Sequence, residues 1–185
     1  VALLAASVAS AQPVAPLPPA LPWSGASERL LVAADDPWVT PAERAGFATT
    51  PSYAEVRGWL ARLAAASPLV TLETFGRTAE GRDLLLVRAS KRARAGETAG
   101  GAAGGAAGDA AAGATGGGAG ADGRRPVVLV QAGIHAGEID GKDAGLMLLR
   151  DIALRGKDDL LDRVDLVFVP ILNVDGHERA SAWYR

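Results

Sequence analysis

The stretch QAGIHAGEIDGKDAG, residues 131–145, sets His135 and Glu138 three positions apart between glycines. An imidazole nitrogen and a carboxylate oxygen at that spacing can reach one divalent cation if the backbone turns between them. Zinc favours this pair of donors, and catalytic zinc sites typically take three protein ligands plus water. His135 and Glu138 would therefore supply two of the three. The chain has one other histidine, His177, and no cysteine, which excludes thiolate ligands and disulfides. A plainer reading exists: His135 hydrogen-bonded at a strand end, with Glu138 capping the next helix. The residues by themselves leave both readings open.

Either chemistry needs a scaffold that brings the pair to a mouth. PVVLVQAG, at 126–133, is apolar almost throughout, which is the pattern of a central strand covered on both faces. DGKDAGLMLLRDIALRG predicts a helix from about Asp140 to Leu154, with Leu146, Leu149 and Ile152 along one side and Gly156 at its end. VDLVFVPIL, at 164–172, reads as a second buried strand. A strand–helix–strand unit implies parallel strands and a right-handed crossover. The His135–Glu138 turn falls at the carboxyl end of the first strand, where open α/β sheets place their ligands. Gly133, Gly137 and Gly141 relax the backbone there.

Upstream, LVTLETF (69–75) and LLLVRAS (84–90) predict a hairpin joined by the turn-rich GRTAEGRD. TPSYAEVRGWLARLAAASP predicts a helix capped by Thr50 or Ser52, with Tyr53, Val56, Leu60 and Leu63 on its apolar stripe and Pro68 closing it. TPAERAGF predicts a short helical turn, Thr40 capping it and Pro41 in the first helical position. Trp23 and Trp38 stand as isolated anchors.

At 185 residues the chain favours one domain or part of one. The net charge of −2, without a long basic run, leaves no footprint for nucleic acid. VALLAASVASA (1–11) reads as a signal peptide truncated at its start, with Ala9-Ser10-Ala11 as the cleavage site; an Ala-rich tail is the bland alternative. The run is far too short for stable membrane insertion. Residues 12–37 read as a Pro-rich spacer and linker. Residues 95–123, almost wholly glycine and alanine, read as a flexible insertion between strands, because glycine loses the most entropy on ordering and alanine buries little. A phosphate cradle is disfavoured, since the segment lacks the Lys-Ser/Thr ending.

HAGEIDGKDAG after PVVLVQAGI resembles the zinc-binding segment of the M14 metallocarboxypeptidases, the carboxypeptidase A-like family. Three further stretches are similar to that family in the same order. TPSYAEVRGWLARLAAASP matches its first helix, and FGRTAEGRDLLLVRAS its GRS-x-EGR link and following strand. PILNVDGHERAS matches the strand and NPDG turn downstream of the metal segment. The resemblance runs from about Trp38 to Arg185, apart from the insertion, and 38–185 is expected to be the N-terminal part of the catalytic domain. It implies an α/β fold: a mixed central sheet with flanking helices, phosphorylase/hydrolase-like and incomplete at the C-terminus.

The resemblance further implies that His135 is the first zinc ligand and Glu138 the second. The family's third ligand, a histidine, its general-base glutamate and its substrate-gripping arginines and tyrosine are expected beyond Arg185. No catalytic residue is therefore expected within the chain, which alone should bind zinc weakly and hydrolyse nothing. His177 sits in a turn where the family has no ligand, and is expected at the surface or supporting the site from behind. Val174 departs from the proline of NPDG, and Asn173 and Asp175 are expected to bond their own turn backbone. The implied activity is zinc-dependent hydrolysis near the free C-terminus of a peptide or protein. Zinc would draw the pKa of water towards about 7, and a glutamate would carry the proton. The expected location is secreted or periplasmic. Alternatives are a non-catalytic pseudo-peptidase binding module and an amidohydrolase of the succinylglutamate desuccinylase type.

Overall fold

Two short polar residues, Thr40 and Ser52, start the first two α-helices among the described residues in a computed structural model, which describes residues 25–26, 28–92 and 125–179. Each closes a capping box. Glu43 N donates to Thr40 Oγ1 (3.3 Å) while Thr40 N donates to Glu43 Oε2 (2.9 Å). Glu55 N donates to Ser52 Oγ (3.3 Å) while Ser52 N donates to Glu55 Oε2 (2.8 Å). Such caps satisfy amides that a helix start leaves orphaned and are worth about 1 kcal/mol each. The helices are α1 (Pro41–Arg44) and α2 (Tyr53–Ala66), and Ser52, not Thr50, caps the second. The signal-peptide segment, Trp23 and the 95–123 insertion lie outside the described residues.

The chain divides into two units, Val1–Leu31 and Val32–Arg185. The described part of the first is a 3-10 turn, Glu28–Leu30. The second includes Val32 and Asp36. Val32 N donates to Glu43 Oε1 (3.4 Å), and Asp36 pairs with Arg155.

Four strands, β1 (Val70–Arg77), β2 (Asp83–Ala89), β3 (Val127–Gln131) and β4 (Asp165–Val169), form one mixed sheet in the order β1-β2-β4-β3. The predicted hairpin is present: β1 and β2 pair antiparallel, and β2 pairs antiparallel with β4. The predicted strand–helix–strand unit is present too, since β3 and β4 are parallel and joined through α3 (Asp140–Leu154). Gly156, at φ +73, follows α3 in the left-handed conformation that ends helices.

The register puts Leu85, Val87 and Ala89 of β2 on one face with Leu166 and Phe168 of β4. That face forms a single apolar core with Tyr53, Val56, Trp59, Leu60 and Leu63 of α2 and Leu146, Leu149 and Ile152 of α3. Gly145 lets α3 approach: a Cβ there would overlap the Phe168 ring. Arg150, wholly buried, ties α3 to α1 through Glu43 Oε2 (2.5 Å) and bonds Asp151 Oδ1 (3.0 Å).

One strand departs from expectation. Among the described residues β3 pairs with β4 alone and so lies at the edge of the sheet they form. Val127 and Leu129 are 57% and 61% exposed, and Val128 and Val130 on the α3 face 43% and 39%. An all-apolar strand signals a covered position only if elements exist to cover both faces and both edges, and the described residues place a neighbour on one edge alone.

Candidate metal centre

The chain leaves β3 along a track that only glycine allows. Ala132 N donates to Val169 O (2.9 Å), Leu172 N to Ala132 O (3.0 Å) and Asn173 N to Gly133 O (2.8 Å), so the exit is stitched to the segment after β4. Gly133 has φ +61, and a Cβ there would stand 2.9 Å from Ile171 Cα. Beyond this point Glu138 N donates to His135 O (3.2 Å), closing a turn. The turn brings the two side chains together: His135 Nδ1 and Glu138 Oε1 are 3.0 Å apart, with side chains 65% and 68% exposed. Beside them opens a cleft of ≈ 330 Å³ lined by Gly137, Glu138, Asp140 and Gly141.

Glu138 does not cap the helix. Ile139 holds the N-cap position of α3, with no side-chain capping bond. Two donors on a tetrahedral zinc, each about 2.1 Å from the ion, stand roughly 3.4 Å apart, so the observed separation of 3.0 Å is within a few tenths of an ångström of what a shared ion needs. The donor types and their exposure fit two positions of a zinc site. Among the described residues no cluster of three or more His, Asp or Glu could hold a metal.

His177 is not at the surface. It lies in α4 (Val174–Glu178) and is 7% exposed. Its Nε2 is 3.2 Å from Lys142 Nζ and its Nδ1 3.2 Å from Glu178 Oε1. Lys142, wholly buried in the first turn of α3, also donates to Thr50 Oγ1 and to Pro51 O (2.8 Å) and stands 3.3 Å from Asp143 Oδ1. Burial lowers the Lys142 pKa, opposed by the Asp143 charge. Burial raises that of Asp143, opposed by Lys142 and by the Thr50 hydroxyl. Burial, then the ammonium of Lys142, holds the His177 imidazole below its ordinary range, against the pull of Glu178 and Asp143. With both ring nitrogens engaged, His177 has no lone pair to offer an ion at the cleft.

The turn residues divide. Asn173 behaves as predicted, accepting from Gly176 N (3.0 Å) at the start of α4. Asp175 does not bond its own turn; it accepts from Thr78 Oγ1 (2.9 Å), Glu80 N (3.2 Å) and Arg82 Nη1 (2.6 Å), clamping the β1–β2 link to α4. Burial pushes its carboxyl up, but Arg82, Thr78 and the Glu80 amide outweigh this and hold it below the usual range. Val174, where the turn motif departs from proline, is fully buried.

The Lys142 cluster escaped the sequence reading. A signal was present: Lys142 stands four residues before Leu146 and seven before Leu149, on the apolar stripe of α3. A charge there must find partners inside the protein.

Comparison with known proteins adds to this geometry. Solved structures share the fold: thrombin-activatable fibrinolysis inhibitor (TM-score 0.52, 19% identity, 71% of this chain and 27% of that one) and carboxypeptidase A from Helicoverpa armigera (TM-score 0.50, 23% identity, 70% and 26%). The chain thus spans between 26% and 33% of the length of the solved proteins it matches. A comparison with curated proteins finds no match. The sequence profile of the peptidase M14 zinc carboxypeptidases matches residues 56–185, which carry α3, β4 and all but the first residues of α2. This chain belongs to the M14 zinc carboxypeptidase family.

Proposed function

We propose that this chain contributes the first two zinc ligands, His135 and Glu138, to a metallocarboxypeptidase that hydrolyses peptide bonds near a free C-terminus. The observation that carries the reading is the 3.0 Å approach of an exposed imidazole and carboxylate at the carboxyl end of β3, with Glu138 lining a cleft beside them, in a chain of this family. His135 Nδ1 and Glu138 Oε1 would hold the ion. Gly133 directs the turn that presents them, and Asp140 and Gly141 at the start of α3 line one wall of the cleft. Zinc bound there supplies Lewis acidity, activating water and polarising a scissile carbonyl. The substrate class is a peptide or protein with a free C-terminal carboxylate. No helix among the described residues is long and apolar enough to cross a membrane. Secretion or delivery to the periplasm is proposed from the apolar run at 1–11.

Two donors make a weak site, so zinc affinity of this polypeptide should lie in the micromolar range or weaker and depend on His135. Isothermal titration of the chain and of His135→Ala and Glu138→Ala tests this. Loss of the binding signal in both variants supports the reading. Zinc uptake that neither substitution weakens overturns it, and a chain that takes up no zinc at all favours a binding module without metal.

A further inference from the structure

The Lys142–His177 cluster has a direction that the hydrogen-bond inventory of its members fixes. An ammonium donates three bonds and accepts none. Lys142 Nζ has Thr50 Oγ1, Pro51 O, His177 Nε2 and, at 3.3 Å, Asp143 Oδ1 around it, so none of its three protons lacks an acceptor. His177 Nε2 must then present its lone pair, and its proton sits on Nδ1, donating to Glu178 Oε1. Glu178 Oε1 also accepts from Tyr53 N (2.8 Å), the first amide of α2. The Thr50 hydroxyl, having accepted from Lys142, passes its own proton to Asp143 Oδ2 (3.1 Å). The bonds fan out from Lys142, through Thr50 to Asp143 on one side and through His177 to Glu178 on the other, and Tyr53 N closes on Glu178 from α2. The cluster joins the first turn of α3 to the entrance of α2 and to α4.

This tie ends four residues from Glu138. Because Ile139 gives α3 no side-chain cap, the start of the helix has no other side-chain anchor of that kind. We propose that Lys142 is the positioning residue for Glu138, and that the tie holds only while His177 accepts from it, so that a proton arriving on His177 releases the first turn of α3. A protonated ring would set an N–H donor against an ammonium at 3.2 Å, with Asp143 and Glu178 as the only carboxylates bonded within the cluster to offset two positive charges. Glu55, on α2, adds its charge from outside the cluster and is itself engaged by Ser52. The part concerning Glu138 rests on the zinc reading proposed above; the tie itself does not.

The test is amide hydrogen exchange on the full chain without metal, corrected for intrinsic rates, at pH 7.5 and pH 5.0. His177→Gln keeps an acceptor for Lys142 and a donor for Glu178 but cannot take a proton in this range. Lys142→Met removes the donor. The wild type should lose protection at residues 143–145 by about tenfold on acidification while 149–152 keep theirs. His177→Gln should show the wild-type protection at both pH values, and Lys142→Met the weakened first turn at both. Zinc affinity at pH 7.5 should drop several-fold in Lys142→Met and stay near wild type in His177→Gln. Equal losses in wild type and His177→Gln, or a first turn equally protected in Lys142→Met, would overturn the proposal. If Lys142→Met does not fold, the wild-type and His177→Gln pair decides alone. Intact exchange behaviour in a chain that takes up no zinc overturns the function and leaves the tie standing.

Discussion

The two histidines of this chain make the same contact in opposite settings. Each places Nδ1 against a glutamate Oε1, His135 at 3.0 Å from Glu138 and His177 at 3.2 Å from Glu178. The first pair is about two-thirds exposed, at 65% and 68%; the second ring is only 6% exposed. His177 spends both nitrogens on neighbours inside the protein, Lys142 on one side and Glu178 on the other. The His135–Glu138 pair is instead exposed, and Glu138 lines a cleft. The difference teaches that imidazole–carboxylate adjacency by itself does not mark a ligand. What matters is whether the donors face a space an ion could occupy or a cluster already satisfied.

Substitutions should separate the two settings by what they cost. Lys142→Met removes one member of a buried, mutually bonded set and leaves Asp143 without its ammonium; it should lower stability by about 3–5 kcal/mol in urea unfolding. A loss below about 1 kcal/mol would mean the cluster is far wetter than its burial suggests. Gly145→Ala forces a methyl into the Phe168 ring and should cost about 1–3 kcal/mol by the same measurement, with no effect on zinc.

The next effect is a slope rather than an offset. Burial, and then Lys142, hold the folded His177 imidazole below its ordinary 6.5. Below pH 6.5 the unfolded chain therefore takes up a proton that the folded chain refuses, and stability falls as pH drops, by at most about 1.4 kcal/mol per unit, until the folded ring itself protonates. Asp143, pushed up by burial, acts with the opposite sign at lower pH. The wild type minus His177→Gln difference, measured from pH 7.5 to pH 5, isolates the histidine; a flat difference contradicts the account. Smallest of all in stability should be His135→Ala, within about 0.5 kcal/mol of wild type, since the side chain is exposed, and yet it should abolish the zinc response.

Much of the scaffold was readable in the residues because its signals are local. The span of α3 follows from its apolar period and from Gly156, and the starts of α1 and α2 follow from Thr40, Pro41 and Ser52. The strand order among the described residues was not readable, because it is set by partners distant in sequence. At the site, the His135–Glu138 spacing announced a pair that the fold does bring together. Of the two places expected for His177, the surface is excluded by its burial, and that burial was not readable because Lys142, its partner, lies thirty-five positions away. Asp175 misled for the same reason, since its partners Thr78, Glu80 and Arg82 come from another turn.

With only two imidazoles to observe, nitrogen-detected proton NMR of the histidine side chains during a zinc titration addresses the proposed ligand role without ambiguity. The account predicts that the His135 ring signals shift with added zinc, that Glu138→Gln suppresses the shift, and that the His177 signals stay where they are. Zinc-dependent movement of His177 with His135 unmoved would contradict it.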